Sequence, residues 1–337
     1  MSAIEALAVE KTLPTSIFSP EKLVRRGWCP VATDPTRAAK PHELYYELHG
    51  EDQPDSTRLL FIMGLNNSSF AWQHQLDYFS SLPGYSVLVF DNRGVGHSDS
   101  PLGAYKTSEM AKDVEELLQH VGWLGSTLNP SKLNVVGVSM GGMISLELSL
   151  LIPHNIHTLL LTSTKAGSST LPDLPSYATV RMFGLLTSGL VKTPEAQVAL
   201  VAETLYPKSW LDDKVTEAGA WQGKSRREMV EADFLHRYNV GKRQTLTGRL
   251  GQMAAVLSHH VSTSRLKELA RSLPSTSRIA IIHGTEDNLI NVKRAKDLHN
   301  GLPGSTLKIV EGGGHALPSQ ITREYNQWIQ SNIERTT

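Results

Sequence analysis

The stretch Leu133-Asn134-Val135-Val136-Gly137-Val138-Ser139-Met140-Gly141-Gly142 decides how this chain is read. Its first part is short and apolar, as a strand buried on both faces requires. A mostly apolar helical run follows (Met143, Ile144, Leu146, Leu148, Leu150, Leu151) and ends before Pro153. Between the two lies G-x-S-x-G, Gly137 to Gly141, in the strand–turn–helix setting that gives this motif meaning. The turn is too tight for bulky neighbours, so a glycine flanks the serine on each side. Ser139 is therefore expected in a strained, exposed position. The Met140 amide, at the start of the helix, is expected to point with the helix dipole at any oxyanion forming beside Ser139.

Outward from this segment, apolar strand-like runs alternate with amphipathic helical ones. The strand candidates are Leu44–His49, Leu59–Met63, Ser86–Phe90, Lys132–Val138, His157–Thr162, Arg278–His283 and Thr306–Val310. Helical spacing relates Met110, Val114, Leu117, Leu118 and Val121, and again Ile321, Tyr325, Trp328, Ile329 and Ile333. The alternation predicts an α/β fold, a doubly wound, mostly parallel sheet. It breaks between about Lys165 and Leu273, where helical runs cover Tyr177–Leu190, Glu195–Leu205, Arg226–Tyr238 and Thr245–Leu257 without a good strand. The expected organisation is an irregular arm over residues 1–40, a core over 41–164 and 274–337, and a helical cap over 165–273. Such an insertion would lie over the strands' carboxyl ends, where open α/β sheets bind ligands.

A serine hydroxyl needs a base, and the base needs a group to orient it. The run His283-Gly284-Thr285-Glu286-Asp287 follows a strand and delivers Asp287 to the sheet's carboxyl edge, with Glu286 as its competitor. Twenty-eight residues later, Gly312-Gly313-Gly314-His315 follows another strand and delivers His315 to the same edge. The loop Met63-Gly64-Leu65-Asn66-Asn67 comes straight after the first central strand. Gly64 lets its amides turn inward, and the Leu65 N–H is the candidate second oxyanion donor. Asn66 and Asn67 read equally as turn residues and as substrate contacts. Apolar side chains of the insertion, Met182 and Phe183 among them, read first as its own core and second as the wall of an apolar pocket.

With these residues in place, the chain resembles the α/β-hydrolase fold superfamily, of the capped, serine-nucleophile kind, over roughly residues 44–333. The order Ser139, Asp287, His315 is the superfamily's triad order. The turn Asp91-Asn92-Arg93-Gly94-Val95-Gly96-His97-Ser98-Asp99 is similar to the Asp-x-Arg-Gly-x-Gly-x-Ser turn of many members, where it shapes the wall of the site. One departure is Met63-Gly64 where the oxyanion loop commonly begins His-Gly. The resemblance implies hydrolysis of an ester, thioester, lactone or amide through an acyl-enzyme, with no cofactor and no metal. The apolar side chains of the insertion suit an ester, thioester or lactone of a small to medium apolar substrate. The same triad serves carbon–carbon hydrolysis, acyl transfer and cofactor-free haloperoxidase chemistry, and the same scaffold serves as a ligand receptor.

Composition sets the outer bounds. Lys+Arg and Asp+Glu are each 33 among 337 residues, so no net charge draws the chain to nucleic acid. The longest nearly pure apolar stretch, Leu59 to Leu65, is far short of the roughly 20 residues of a membrane span. The single cysteine, Cys29, permits no intrachain disulfide, and Glu5 and Glu10 do not suit a signal peptide. Both point to the cytoplasm. Gly219-Ala220-Trp221-Gln222-Gly223-Lys224-Ser225 ends like a phosphate-binding loop but is one residue short, and no strand precedes it.

Overall fold

The computed structural model describes residues 12–37, 40–124, 132–167 and 176–334. The expectations for residues 1–11 and 38–39 of the arm, 168–175 of the insertion and the C-terminal 335–337 lie outside them. Eight strands, β1 (Leu23–Val31), β2 (His42–Gly50), β3 (Thr57–Ile62), β4 (Tyr85–Phe90), β5 (Leu133–Val138), β6 (Ile156–Thr162), β7 (Arg278–Gly284) and β8 (Thr306–Val310), form one sheet. Their spatial order is β1-β2-β4-β3-β5-β6-β7-β8. The pairs β1–β2 and β2–β4 are antiparallel, and every other pairing is parallel.

The near-continuous apolar runs have the consequence that their composition implies. In β3, Leu59 and Phe61 face one side of the sheet while Leu60 and Ile62 face the other, and all four are fully buried. Each such side chain contributes about 1.5–3 kcal/mol by leaving water. Helices α1 (Gln73–Ser81), α2 (Thr107–His120) and α3 (Met140–Leu151) alternate with the strands up to β6. Helices α4 (Tyr177–Thr187), α5 (Pro194–Leu205), α6 (Lys208–Asp212), α7 (Arg226–Val240), α8 (Leu246–Ser258) and α9 (Thr263–Ser272) lie between β6 and β7. The chain continues through α10 (Lys293–Gly301), α11 (Leu317–Gln320) and α12 (Thr322–Glu334). Leu76, Phe79, Tyr325 and Ile329 of α1 and α12 pack on one sheet face, and Leu117, Ile144, Leu266 and Leu298 of α2, α3, α9 and α10 on the other. The sheet is doubly wound.

Two features differ from the sequence reading. The stretch read as an irregular arm carries β1, paired along its length with β2. Arg25, Arg26, Gly27 and Pro30 make it a poor strand by composition, but it lies at the sheet edge, where proline and charge are tolerated and discourage further pairing. Second, α9, grouped by sequence with the insertion, packs with the core. Leu266 and Leu269 are buried there, and Arg265 makes a two-pronged pair with Glu147 of α3 at 3.1 and 2.8 Å. The inserted helices before it have their own small core of Ala202, Tyr206, Leu211 and Val230, flanked by Trp210, Met229 and Phe234.

Candidate active site

β5, β7 and β8 run parallel, so their carboxyl ends deliver the loops that follow to a common edge. At the end of β5, Ser139 has φ +55° and ψ −121°, the strained backbone that its motif predicts. The flanking glycines are obligatory for space. A Cβ on Gly137 would lie 2.3 Å from Ser145 Oγ, and one on Gly141 2.0 Å from the Ile62 carbonyl oxygen. The Ser139 backbone is pinned by its own N–H to Thr162 O at 2.9 Å and by Thr164 Oγ1 donating to its carbonyl at 2.7 Å. Met140 opens α3, where first-turn amides have no intrahelical partner.

Asp287 follows β7 and is buried, whereas its neighbour Glu286 is exposed. One carboxylate oxygen, Oδ1, accepts the N–H groups of Leu289 and Ile290 at 2.8 and 2.9 Å. The other, Oδ2, lies 2.8 Å from His315 Nδ1 and 3.1 Å from His283 Nε2. Burial alone would push this carboxyl up. The positive charge available at His315 and the hydrogen bonds from His283 and His315 outweigh it and hold the group well below the usual carboxylate range. With Nδ1 turned to Asp287, His315 keeps Nε2 for the cavity, which Ser139 also lines. Among the described residues, no hydrogen bond joins Ser139 Oγ to His315. Such contacts are commonly long in unliganded sites and tighten with substrate.

The loop after β3 lies against the elbow. A Cβ on Gly64 would lie 3.1 Å from Ser139 Cβ, closer than such contacts usually come, so glycine is what permits the approach. The loop is tied at both ends. Asn92 Nδ2 donates to Met63 O at 2.9 Å, and the Asn66 N–H, at a left-handed φ of +59°, donates to Gln252 Oε1 at 2.9 Å. Gly64, Leu65, Asn66 and Asn67 all line the cavity.

That cavity has a volume of about 750 Å³ and reaches from the elbow into the insertion, within the usual range for small-molecule sites. Met182 lines it, together with Leu186 one turn later, while Phe183 points elsewhere on α4 and does not. Sequence reasoning missed His283 and Gln252. His283 reads as the last apolar-strand position, and only its spacing of four from Asp287 hints at contact. Gln252 sits in a helix of mixed apolar and polar residues and carries no local signal. Among the described residues, no group of three or more His, Cys, Asp and Glu side chains is arranged to hold a metal ion, and no helix is long and apolar enough to cross a membrane.

The sequence profile of the family described as alpha/beta hydrolase fold matches residues 57–319, most of the chain. This protein belongs to the alpha/beta hydrolase fold family. A relative from Pseudomonas syringae pv. syringae (strain B728a), named "Putative carbamate hydrolase RutD", is 30% identical over 280 residues, 83% of this chain and 93% of the relative. Solved family structures agree in fold. An esterase from Thermogutta terrifontis superposes with a TM-score of 0.67 at 19% identity, covering 91% of this chain and 97% of that one. A bromoperoxidase from Bacillus anthracis gives 0.67 at 20% identity, covering 92% and 100%. This alpha/beta hydrolase is therefore a hydrolase by family, with a cavity over the elbow lined by both apolar and charged side chains.

Proposed function

We propose that the protein is a serine hydrolase that cleaves a carboxylic ester, thioester or lactone of a small to medium compound with an apolar portion, through an acyl-enzyme. The observation that carries this is the buried Asp287–His315 pair at 2.8 Å, facing the same cavity as a serine in a strained elbow. In this reading Ser139 Oγ attacks the carbonyl carbon as His315 Nε2 takes its proton. Asp287 keeps the Nδ1 proton in place and offsets the charge of the imidazolium. The amides of Leu65 and Met140 receive the developing oxyanion. His315 then returns the proton to the leaving oxygen or sulfur, and water, activated by the same ring, releases the acyl group. The inserted helices α4 to α8 act as the cap that excludes water from this chemistry. The single cysteine supports a cytoplasmic setting.

The test is labelling and turnover together. A fluorophosphonate probe is expected to label Ser139 stoichiometrically, and a short p-nitrophenyl ester to be cleaved. Ser139→Ala should remove both while the circular dichroism spectrum and melting curve stay native. Wild-type turnover by that variant removes Ser139 from the mechanism. The printed name of the relatives favours a second reading, attack by the same serine on a carbamate carbonyl. Comparing kcat/KM for methyl carbamate and methyl acetate separates the two.

A further inference from the structure

We propose that the substrate carries a carboxylate away from its scissile bond, and that Arg249 is the residue that binds it. The inference rests on the serine-hydrolase reading of the same cavity and names the class of compound it takes.

The charge on the cavity wall is one-sided. Lys165, Arg237, Lys242, Arg243, Arg249 and Arg294 line it, and Asp233 is its one acidic side chain among the described residues. Asp233 is already committed, bridging to Arg237 one helical turn on at 2.8 Å. Arg294 likewise pairs with Asp297 at 3.8 Å, but in a chain that is neutral overall the cavity wall still carries more cations than acids.

Arg249 differs from the rest. It projects from α8, with one guanidinium nitrogen, Nη1, donating to the Leu186 carbonyl at 3.2 Å. Its Nε is buried and makes no hydrogen bond, and no carboxylate partners the guanidinium among the described residues. Burial pulls its pKa below the ordinary guanidinium range, and no nearby acid counters that pull. Holding a partly desolvated cation without a counter-charge is costly, and such groups are ordinarily paired. The unused edge, Nε with Nη2, is the fork that grips a carboxylate through two parallel N–H···O bonds. Met182, Leu186, Val256 and Leu257 supply apolar wall to the same cavity. The wall suits a short aliphatic chain that ends in an anion.

The probes are two methyl esters of equal chain length, monomethyl adipate and methyl hexanoate, with turnover followed in a pH-stat. Wild-type kcat/KM is expected to be at least about tenfold higher for the anionic ester. Arg249→Met should cut that ratio by at least about tenfold, and Arg249→Lys, which keeps the charge but not the fork, should restore part of it. Equal kcat/KM for the two esters in the wild type, or a ratio that Arg249→Met leaves unmoved, overturns the proposal. Calorimetric titration of both esters into Ser139→Ala separates this from failure of the serine-hydrolase reading. Tighter binding of the anion supports the proposal even where neither ester is cleaved, and equal or no binding overturns it.

Discussion

The carbonyl oxygen of Leu205, at the end of α5, accepts the backbone N–H of His315 at 2.8 Å. The loop bearing the imidazole is thus held from the insertion as well as from the sheet. The Ala316 N–H reaches the same oxygen at 3.4 Å, and Tyr206 Oη and Ser319 Oγ share a hydrogen bond at 2.6 Å beside it. Gly314 makes this approach possible. A Cβ there would lie 2.5 Å from the Leu205 oxygen, which is backbone and cannot swing aside.

Gly314→Ala is therefore expected to displace the loop and misplace His315. A shift of about 1 Å at a catalytic group costs on the order of 100-fold in rate. The variant should fold, with a modestly lowered melting temperature, and lose about that factor in kcat on a p-nitrophenyl ester. Unaltered kcat would mean that the loop has slack that the close packing at Leu205 does not suggest.

Asp287→Asn tests the tautomer argument. An asparagine in this place would present its carbonyl oxygen to the Leu289 and Ile290 N–H groups, which need an acceptor. Its NH₂ would then face His315 Nδ1 and force the ring's proton to Nε2, the tautomer that cannot take a proton from Ser139. The expected loss in kcat is about 10⁴-fold with KM little changed, as for triads on other folds. A tenfold loss or less would mean that Asp287 does not set the tautomer.

In the proposed mechanism Gln252 positions the loop that carries the Leu65 amide. It is fully buried in α8, its Oε1 accepts the Asn66 N–H, and its Nε2 donates to Arg93 O at 2.9 Å. Gln252→Leu leaves both backbone groups without their partner and frees the peptide next to the Leu65 amide. We expect kcat to fall by about ten- to 100-fold, with KM within about twofold, and stability to drop by about 1–3 kcal/mol. Gln252→Glu keeps the acceptor for Asn66 and should recover part of kcat. A loss carried wholly by KM, or equal kcat for the two variants, would show that Gln252 only fills space.

The legible and illegible parts of this chain divide on physical grounds. Strands buried on both faces, such as β3 and β5, announce themselves as continuous apolar runs, and the elbow is readable because glycine at two fixed positions is a steric necessity. Asp287 and His315 could be read because each follows a strand within a few residues, so topology alone carries them to one edge. β1 was hidden because an edge strand needs apolar side chains on one face only, and its arginines and Pro30 mask the pattern. Gln252 acts through contacts with residues distant in sequence and has no local signature, and His283 acts through a buried contact that only its spacing of four from Asp287 hints at. Phe183 and Met182 are adjacent on a helix and so about 100° apart, a distinction that composition cannot make.

His259 gives stability an acid limb that can be assigned. It is buried where α8 ends, with Nδ1 2.8 Å from Thr107 Oγ1. Burial first, then the charges of Lys165 and His260, hold its pKa down at about 3, against an ordinary value of 6.5. Because the folded value is the lower one, the unfolded chain takes up the proton first as the pH falls. The stabilisation is complete above about 6.5 and declines progressively toward about 3. At pH 5 the decline from this one group amounts to about 2 kcal/mol. His259→Gln replaces it with a polar side chain that does not titrate. Urea midpoints of both proteins at pH 7 and pH 5 are the measurement. The wild type should lose about 2 kcal/mol more than the variant between the two, whatever the variant has lost at pH 7. Equal losses would mean that His259 already carries its proton in the folded protein, or that solvent reaches it there.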